Sequence, residues 1–379
     1  MRPPAYPAAR ASAQNIHAHF ESHGADAPTG GGLAVAAVPD AATVESLIEA
    51  AFWASLRREE GYIPRISLAF LSPDQTTHPL LFERPLALEP GGLARIAPAV
   101  EPSGLHLGVW GGPDELCVWG TTRMVPPFAM VVEVAAPGLI VVKHHRGGEA
   151  GKFVNVAVLE GDRVKVIDER ASSLPDCPAL LTSLLGFESP ASWLDSLNVL
   201  VQLAVAIRAH KRGGALLVVP SGSDAWRDSI VRPIAYAIVP PFTELAQLCR
   251  TPVDVHREQW WQDAIRRSVE AIAGLTAVDG ATVVTSDYEV LAFGAKIARK
   301  RGAPQVEQVT LTEPIEGDVP EVVHPSHIGG TRHLSAAQFV HDQRDALALV
   351  ASQDGRFTVF AWSPCEDRVH AHRVETLLL

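Results

Sequence analysis

The sequence predicts an α/β protein in which a β-rich N-terminal domain precedes a C-terminal domain whose sheet carries helices on its faces. Residues 62–170 hold short β-prone runs separated by Gly or Pro turns. Their spacing of roughly 8–12 residues is typical of an antiparallel sheet or a barrel-like unit. From about residue 190 onward, helix-like and strand-like segments alternate, which indicates a sheet covered by helices.

Length and local composition predict the domain limits. At about 150 residues per domain, a chain of 379 residues suggests two domains. Residues 1–32 are rich in Ala, Pro and Gly, so we expect a loose segment there with room for a short helix near 14–22. The run SSLPDCP interrupts the β pattern, which gives a β-rich domain at 33–178 and a second domain at 179–379.

Apolar periodicity predicts the individual elements of the first domain. In residues 41–59 apolar side chains recur at helical spacing. Gly161 and Asp162 mark a hairpin between two strands. The predicted strands are ISLAFL, LHLGVWG, ELCVWGT, AMVVEVA, LIVVKH, FVNVAVLEG and RVKVID.

The second domain is predicted in the same way. A helical stripe up to residue 207 precedes the buried strand ALLVVP, and a second helix covers about 257–275. The hairpin ATVVTSDYEVLAFGAKI is followed by a polar insert over about 299–325. The segment GGTRHLSAAQFVHDQ then enters a helix, and two strands joined by Asp354 and Gly355 close the chain.

Charge and hydropathy exclude several classes of partner. The chain has 32 Lys and Arg against 43 Asp and Glu, a net charge of −11, which argues against binding a nucleic-acid polymer or a membrane surface. No run approaches the roughly 20 apolar residues of a transmembrane helix. The four cysteines lie far apart, so they form neither a disulfide framework nor a zinc motif. We expect a cytoplasmic protein.

The first segment with chemical potential is Asp279-Gly280-Ala281. It places a carboxylate where a buried strand starts, and two small residues allow a flat ligand to approach the backbone. The alternative is an ordinary turn, because Asp-Gly is a common turn dipeptide.

The second segment is Gly330-Thr331-Arg332-His333, which follows Gly329 and opens a helix. Backbone N–H groups at a helix N-terminus bind anions, and a guanidinium matches phosphate oxygens. The alternative is a surface loop in which Thr331 only caps the helix.

Taken together and in this order, the two segments resemble the diadenylate cyclase domain, over about residues 190–365. The resemblance implies a mixed sheet with helices on both faces that binds an adenine nucleotide. It further implies that Asp279, Gly280 and Ala281 meet the ribose, and that Gly330, Thr331, Arg332 and His333 hold phosphate. In the family these two motifs are followed by a strand that ends in a Ser-Glu-Glu type segment, and Ser352 stands at its first position as a further nucleotide-binding candidate. The resemblance also implies a homodimer and a Mg²⁺ or Mn²⁺ ion held with the bound nucleotide.

Two departures from the family pattern concern catalysis. Leu334 stands where the family has a second arginine, and Gln353 stands where it has a carboxylate after Ser352. This pattern is similar to the sensor-type relatives of these cyclases, the DACNV group. We therefore expect a sensor that binds a nucleotide or a cyclic dinucleotide, with Asp279 catalytic only if the domain is active. The alternatives are an active diadenylate cyclase that condenses two ATP into cyclic di-AMP and an interaction scaffold that binds no ligand.

Overall fold

The computed structural model describes residues 4–25, 36–59, 61–101, 104–112, 115–145, 153–168 and 199–379. The chain divides into two compact units, Met1–Ile167 together with Leu379, and Asp168–Leu378. The domain boundary predicted at residue 178 lies outside the described residues and stays a prediction.

The N-terminal unit combines three α-helices with a sheet in its described residues. The helices are α1 (Pro7–Ala25), α2 (Ala41–Ser55) and α3 (Pro90–Ile96). The strands are β1 (Ser67–Phe70), β2 (Leu80–Ala87), β3 (His106–Trp110), β4 (Cys117–Thr122), β5 (Met130–Ala136), β6 (Leu139–His145), β7 (Phe153–Glu160) and β8 (Arg163–Val166). Each predicted run became a strand, whereas β2 was missed by the sequence analysis.

The eight strands form one sheet in the order β2-β4-β3-β1-β5-β6-β7-β8. Its antiparallel character was predicted, but β1 pairs with β3 in parallel. The reason is that the chain between them passes through β2 and α3, so it returns to the end of the sheet where β1 began. The hairpin at Gly161 joins β7 to β8 as predicted.

The sequence predicts a loose segment at 1–32 with room for a short helix near 14–22, whereas helix α1 extends from Pro7 to Ala25. It is a helix of 19 residues whose apolar side chains are buried, with Ile16 fully covered and Phe20 2% exposed. The Tyr6 ring stacks on Phe52 of α2 at a centroid distance of 3.7 Å. Alanine is the strongest helix former, so the Ala-rich composition that suggested a loose start favours this helix instead.

The C-terminal unit contains four α-helices and nine strands in its described residues. The helices are α4 (Val199–Ala209), α5 (Glu244–Cys249), α6 (Gln259–Leu275) and α7 (Thr331–Asp342). The strands are β9 (Gly214–Val219), β10 (Tyr236–Phe242), β11 (Ala281–Thr285), β12 (Val290–Ala295), β13 (Val309–Thr312), β14 (Glu321–Val323), β15 (Leu347–Ala351), β16 (Phe357–Ser363) and β17 (Arg368–Arg373).

These strands form a mixed sheet with helices on both faces, so the α/β class is confirmed. The order is β10-β12-β11-β9-β15-β16-β17-β13-β14. On one face α4 and α6 pack through Ile207 and Trp261 among other side chains. On the other face α7 packs through Phe339. The two faces bury successive residues of β9 because side chains alternate along a strand.

The segment predicted as a polar insert, about 299–325, contributes to the sheet. It contains β13, which pairs with β17 in parallel, and β14, which pairs with β13. The sequence did not predict these short strands because the segment is rich in acidic residues and only single apolar residues, such as Val309, are buried in the core.

The packing of α1 predicts a large stability cost for truncating its buried face. Ile16→Ala should lower the free energy of unfolding of the full chain by about 2–5 kcal/mol, since a fully buried side chain is replaced by a cavity. The measurement is chemical denaturation followed by tryptophan fluorescence. Gln14→Ala, on the exposed side of the same helix, is the control and should change stability by less than about 0.5 kcal/mol. Equal stability of the two variants would contradict the docking of α1.

Candidate functional site

Four strands bring separate parts of the sequence to one edge of the nine-stranded sheet. β9 and β11 are parallel and both begin at this edge, with Thr282 paired to Leu216. β12 and β15 run antiparallel to them and both end there. Asp279 and Lys296 therefore lie next to each other although they are 17 residues apart.

The N-terminus of α7 lies at the same edge. Gly330 is its N-cap with an extended backbone, and the helix begins at the exposed Thr331. The Arg332 guanidinium lies against Gly213, the residue before β9. A Cβ on Gly213 would be 2.8 Å from Arg332 Nη1 and 3.2 Å from the carbonyl oxygen of Ala351. Glycine at 213 thus leaves the space that Arg332 occupies.

Asp279 places an exposed carboxylate at this edge. Its side chain is 87% exposed, and Lys296 Nζ donates a hydrogen bond to its Oδ2. The Lys296 hydrogen bond and charge hold the pKa of Asp279 below its usual value, with a further contribution from Arg332. The structure therefore brings two predicted site residues, Asp279 and Arg332, into one electrostatic cluster.

The small residues after Asp279 are explained by packing between strands. Gly280 has a φ of +118°, and a Cβ there would lie 2.4 Å from the carbonyl carbon of Gly294. Ala281 is 1% exposed and belongs to the core. The close approach of the β11 and β12 backbones requires glycine at 280, and burial in the core accounts for the small apolar residue at 281, so neither residue type depends on a ligand.

His333 is the predicted phosphate-binding residue that the structure places away from the surface. It is 2% exposed, and its Nδ1 lies so close to Gly329 that a Cβ there would be 2.4 Å away. Burial lowers the pKa of His333 to about 4, so the imidazole is neutral at pH 7. Its Nε2 is buried and has no hydrogen-bond partner among the described residues. Contact with a ligand at the exposed edge thus falls to Thr331 and Arg332.

Ser352 lies at the same edge, in the turn that joins β15 to β16. Its N–H donates to the carbonyl oxygen of Arg356 at 2.9 Å. Asp354 pairs with Arg356 at 3.4 Å within this turn, so its carboxylate stabilises the hairpin. The Gln353 amide donates to the carbonyl oxygen of Arg212 at 3.4 Å and holds the turn against the segment before β9.

Lys296 was missed by the sequence analysis. The signal was available: Lys296 follows the last residue of β12, and a hairpin places that position across from the residues that precede β11. In the register of this hairpin Ala281 is opposite Ala295. Only this register determines that the Lys296 side chain lies beside Asp279 and not on the opposite face of the sheet.

The donor set at this edge does not fit a resident divalent metal ion. Mg²⁺ and Mn²⁺ prefer carboxylate and other oxygen ligands, whereas here one carboxylate is already hydrogen-bonded to an ammonium group. Within the described parts of the chain no group of three or more His, Cys, Asp or Glu side chains is placed to hold a metal. The rings of His324 and His327 meet edge to face with centroids 6.3 Å apart, and the pair lacks a third ligand of these types among those residues.

None of the helices in the described parts of the chain has the length and apolar character needed to cross a membrane.

Comparison with known proteins gives one family match. The model of the probable sensor domain DACNV matches residues 33–123, a segment that runs from before α2 to the end of β4. This part of the chain is thus similar to a sensor domain. The resemblance predicted from the sequence covered about residues 190–365 and left out this segment, so the prediction that it is confined to the C-terminal half is wrong. About half of the matched segment is α-helix and β-strand, and its sequence has no chemistry-bearing motif that would have indicated the likeness.

Other comparisons add little. No curated protein matches the chain. A solved structure described as the hypothetical membrane spanning protein from Bacillus cereus aligns with 17% identity over 48% of this chain, with a TM-score of 0.25. The alignment spans 64% of that chain. A likeness of this TM-score supports no argument about fold or function.

The burial of His333 predicts an acid-sensitive C-terminal unit. Its pKa falls from 6.5 to about 4 on folding, so the unfolded chain binds the extra proton between these values. Stability is therefore lost as the pH falls through this window, by at most about 1.4 kcal/mol per pH unit from this group. In His333→Gln the free energies of unfolding at pH 7 and pH 4 should differ by less than they do in the wild-type chain.

The control is His327→Gln, an exposed histidine six residues earlier, which should keep the wild-type profile. Buried His106 and His372, whose pKa values are lowered to about 4 and about 3, contribute equally to both variants and cancel in the comparison. Parallel pH profiles for wild type and His333→Gln would contradict the assignment.

Proposed function

We propose that the C-terminal unit binds an adenine nucleotide or a cyclic dinucleotide and that the chain is a sensor without efficient cyclase activity. One observation supports this most directly. Asp279, Lys296 and Arg332 meet with the N-terminus of α7 at one exposed edge of the sheet. The sensor part of the proposal is also supported by the DACNV match at residues 33–123.

The phosphate of the ligand would lie at the start of α7. The first N–H groups of a helix lack intrahelical acceptors, and the helix dipole adds partial positive charge there. The exposed Thr331 hydroxyl and the Arg332 guanidinium supply further donors beside them. Because the whole chain carries a charge of −11, this local cluster gives selectivity for one small anion over a polyanion.

The sugar of the ligand would lie near Asp279. The carboxylate is ionised and exposed, so it can accept hydrogen bonds from ribose hydroxyl groups. Its position before β11 is fixed by the packing of Gly280 against Gly294. The ligand would then extend along the edge from Asp279 to Thr331.

Three features argue against efficient phosphoryl transfer. Leu334 replaces a guanidinium that would stabilise the charge developing on phosphate. Gln353 replaces a carboxylate and is engaged with the carbonyl oxygen of Arg212. The hydrogen bond from Lys296 stabilises Asp279 as the carboxylate and makes it a weaker base toward a ribose hydroxyl. Binding without turnover is the function these residues support.

Removal of the Arg332 guanidinium should weaken binding. Arg332→Ala is expected to lower the affinity for ATP or cyclic di-AMP by about tenfold or more, since a charge-assisted phosphate contact is lost. Titration calorimetry on the full chain measures this. The matched control is Arg266→Ala, an exposed arginine of α6 that pairs with Asp263, which should bind as wild type does. Full affinity in Arg332→Ala would contradict the phosphate assignment, and no binding by wild type would favour a scaffold.

Incubation of the chain with ATP and Mg²⁺ or Mn²⁺ tests the absence of cyclase activity. We expect no cyclic di-AMP above background by chromatography and mass spectrometry, because Leu334 cannot stabilise the transition state. A known diadenylate cyclase, assayed in parallel, shows that the conditions permit the reaction. Robust product from the wild-type chain would overturn the sensor proposal and establish an active cyclase.

A further inference from the structure

We propose that this edge binds its nucleotide without a divalent metal ion, and that the Lys296 ammonium takes the place a metal would have on Asp279. The inference rests on the proposed function and specifies how the site neutralises phosphate. It concerns a residue that the sequence motifs do not include.

The position of Lys296 is fixed by its backbone. β12 ends at Ala295, which is opposite Ala281 of β11. Beyond it, the Lys296 carbonyl oxygen accepts a hydrogen bond from the Val231 N–H at 2.8 Å, and Ile297 forms a bridge with Ile230. Since hydrogen bonds hold the backbone on both sides of Lys296, only its side chain needs to order for the ammonium to reach Asp279 Oδ2.

The positive charge of the edge disfavours a metal cation and favours a phosphate group. Lys296 and Arg332 both act on Asp279, the single carboxylate between them, so this cluster has a formal charge of +1. The neighbouring Asp354 and Arg356 pair with each other and cancel. A divalent cation at Asp279 would have to displace Lys296 and remain close to Arg332, whereas a phosphate group is attracted by both.

The exposure of the pair lets it rearrange when a ligand arrives. The side chains of Lys296 and Asp279 are 53% and 87% exposed, and exposed ion pairs contribute little to folding. The ammonium can therefore leave Asp279 for a phosphate oxygen at little cost. Asp279 is then free for a hydroxyl group of the ligand, so that one exchange prepares both ends of the site.

The experiment measures the affinity of the full chain for ATP and for cyclic di-AMP by titration calorimetry, in magnesium chloride and in EDTA. For the probe that binds, wild type should show the same affinity in both conditions within about twofold. Lys296→Gln should lose about tenfold in both, because one charge-assisted contact to phosphate is missing. The affinity of Asp279→Asn should likewise be the same in magnesium chloride and in EDTA.

Lys300→Gln is the matched control. Lys300 lies four residues beyond Lys296, and its backbone N–H donates to Asp342 at the other end of α7. Because that hydrogen bond does not involve the side chain, Lys300→Gln should keep the fold of the loop and the wild-type affinity.

The outcomes separate the two proposals. Binding by wild type that falls tenfold or more in EDTA overturns the metal-free site and leaves nucleotide binding intact. Wild-type affinity of Lys296→Gln in EDTA overturns the role of Lys296 and leaves nucleotide binding intact. Failure of both probes to bind in either condition overturns the proposed function, and this inference with it.

Discussion

The parallel pairing of β9 with β11 is the constraint on which the candidate site depends. Hydrogen bonds between Thr282 and Leu216 and their neighbours set the two strands in register, so both begin at one edge of the sheet. β12 and β15 flank this pair in the opposite direction and end at the same edge. Residues that lie as far apart in sequence as Gly213 and Ser352 thereby become neighbours. A shift of one residue in either pairing would turn the side chains of the shifted strand to the opposite face of the sheet.

Glycine at two positions lets neighbouring segments approach closely enough for the side chains of the candidate site to meet. Gly213 leaves space for Arg332, and Gly280 allows the backbone of β11 to approach Gly294. Both have positive φ angles, which a residue with a Cβ adopts only with strain. The chain bends at Asp279 and Gly280 before β11 begins, and this bend leaves the Asp279 carboxylate exposed. The role of that carboxylate in binding stays a prediction.

The family match and the candidate site lie in different units of the chain. The N-terminal unit contains the match to a probable sensor domain, and its core is built from apolar strands and from α1 and α2. The C-terminal unit presents the exposed charged edge. Buried histidines occur in both, with His106 in the first and His333 in the second. Their lowered pKa values arise mainly from burial, so these imidazoles act as neutral packing groups at pH 7.

The sequence by itself determined the α/β class, because apolar periodicity of two or of about 3.6 residues is a local property. It also offered Asp279 and Arg332 as candidate site residues, since their motifs are short and contiguous, and their role in binding stays a prediction. It missed the parallel pairing of β1 with β3, the packing of α1 and the two strands in the polar insert, each of which depends on distant partners. Only the tertiary structure decided that Lys296 contacts Asp279 and that His333 is buried beneath the start of α7. Burial and register result from contacts between distant segments, and a motif that is read along the chain carries no information about them.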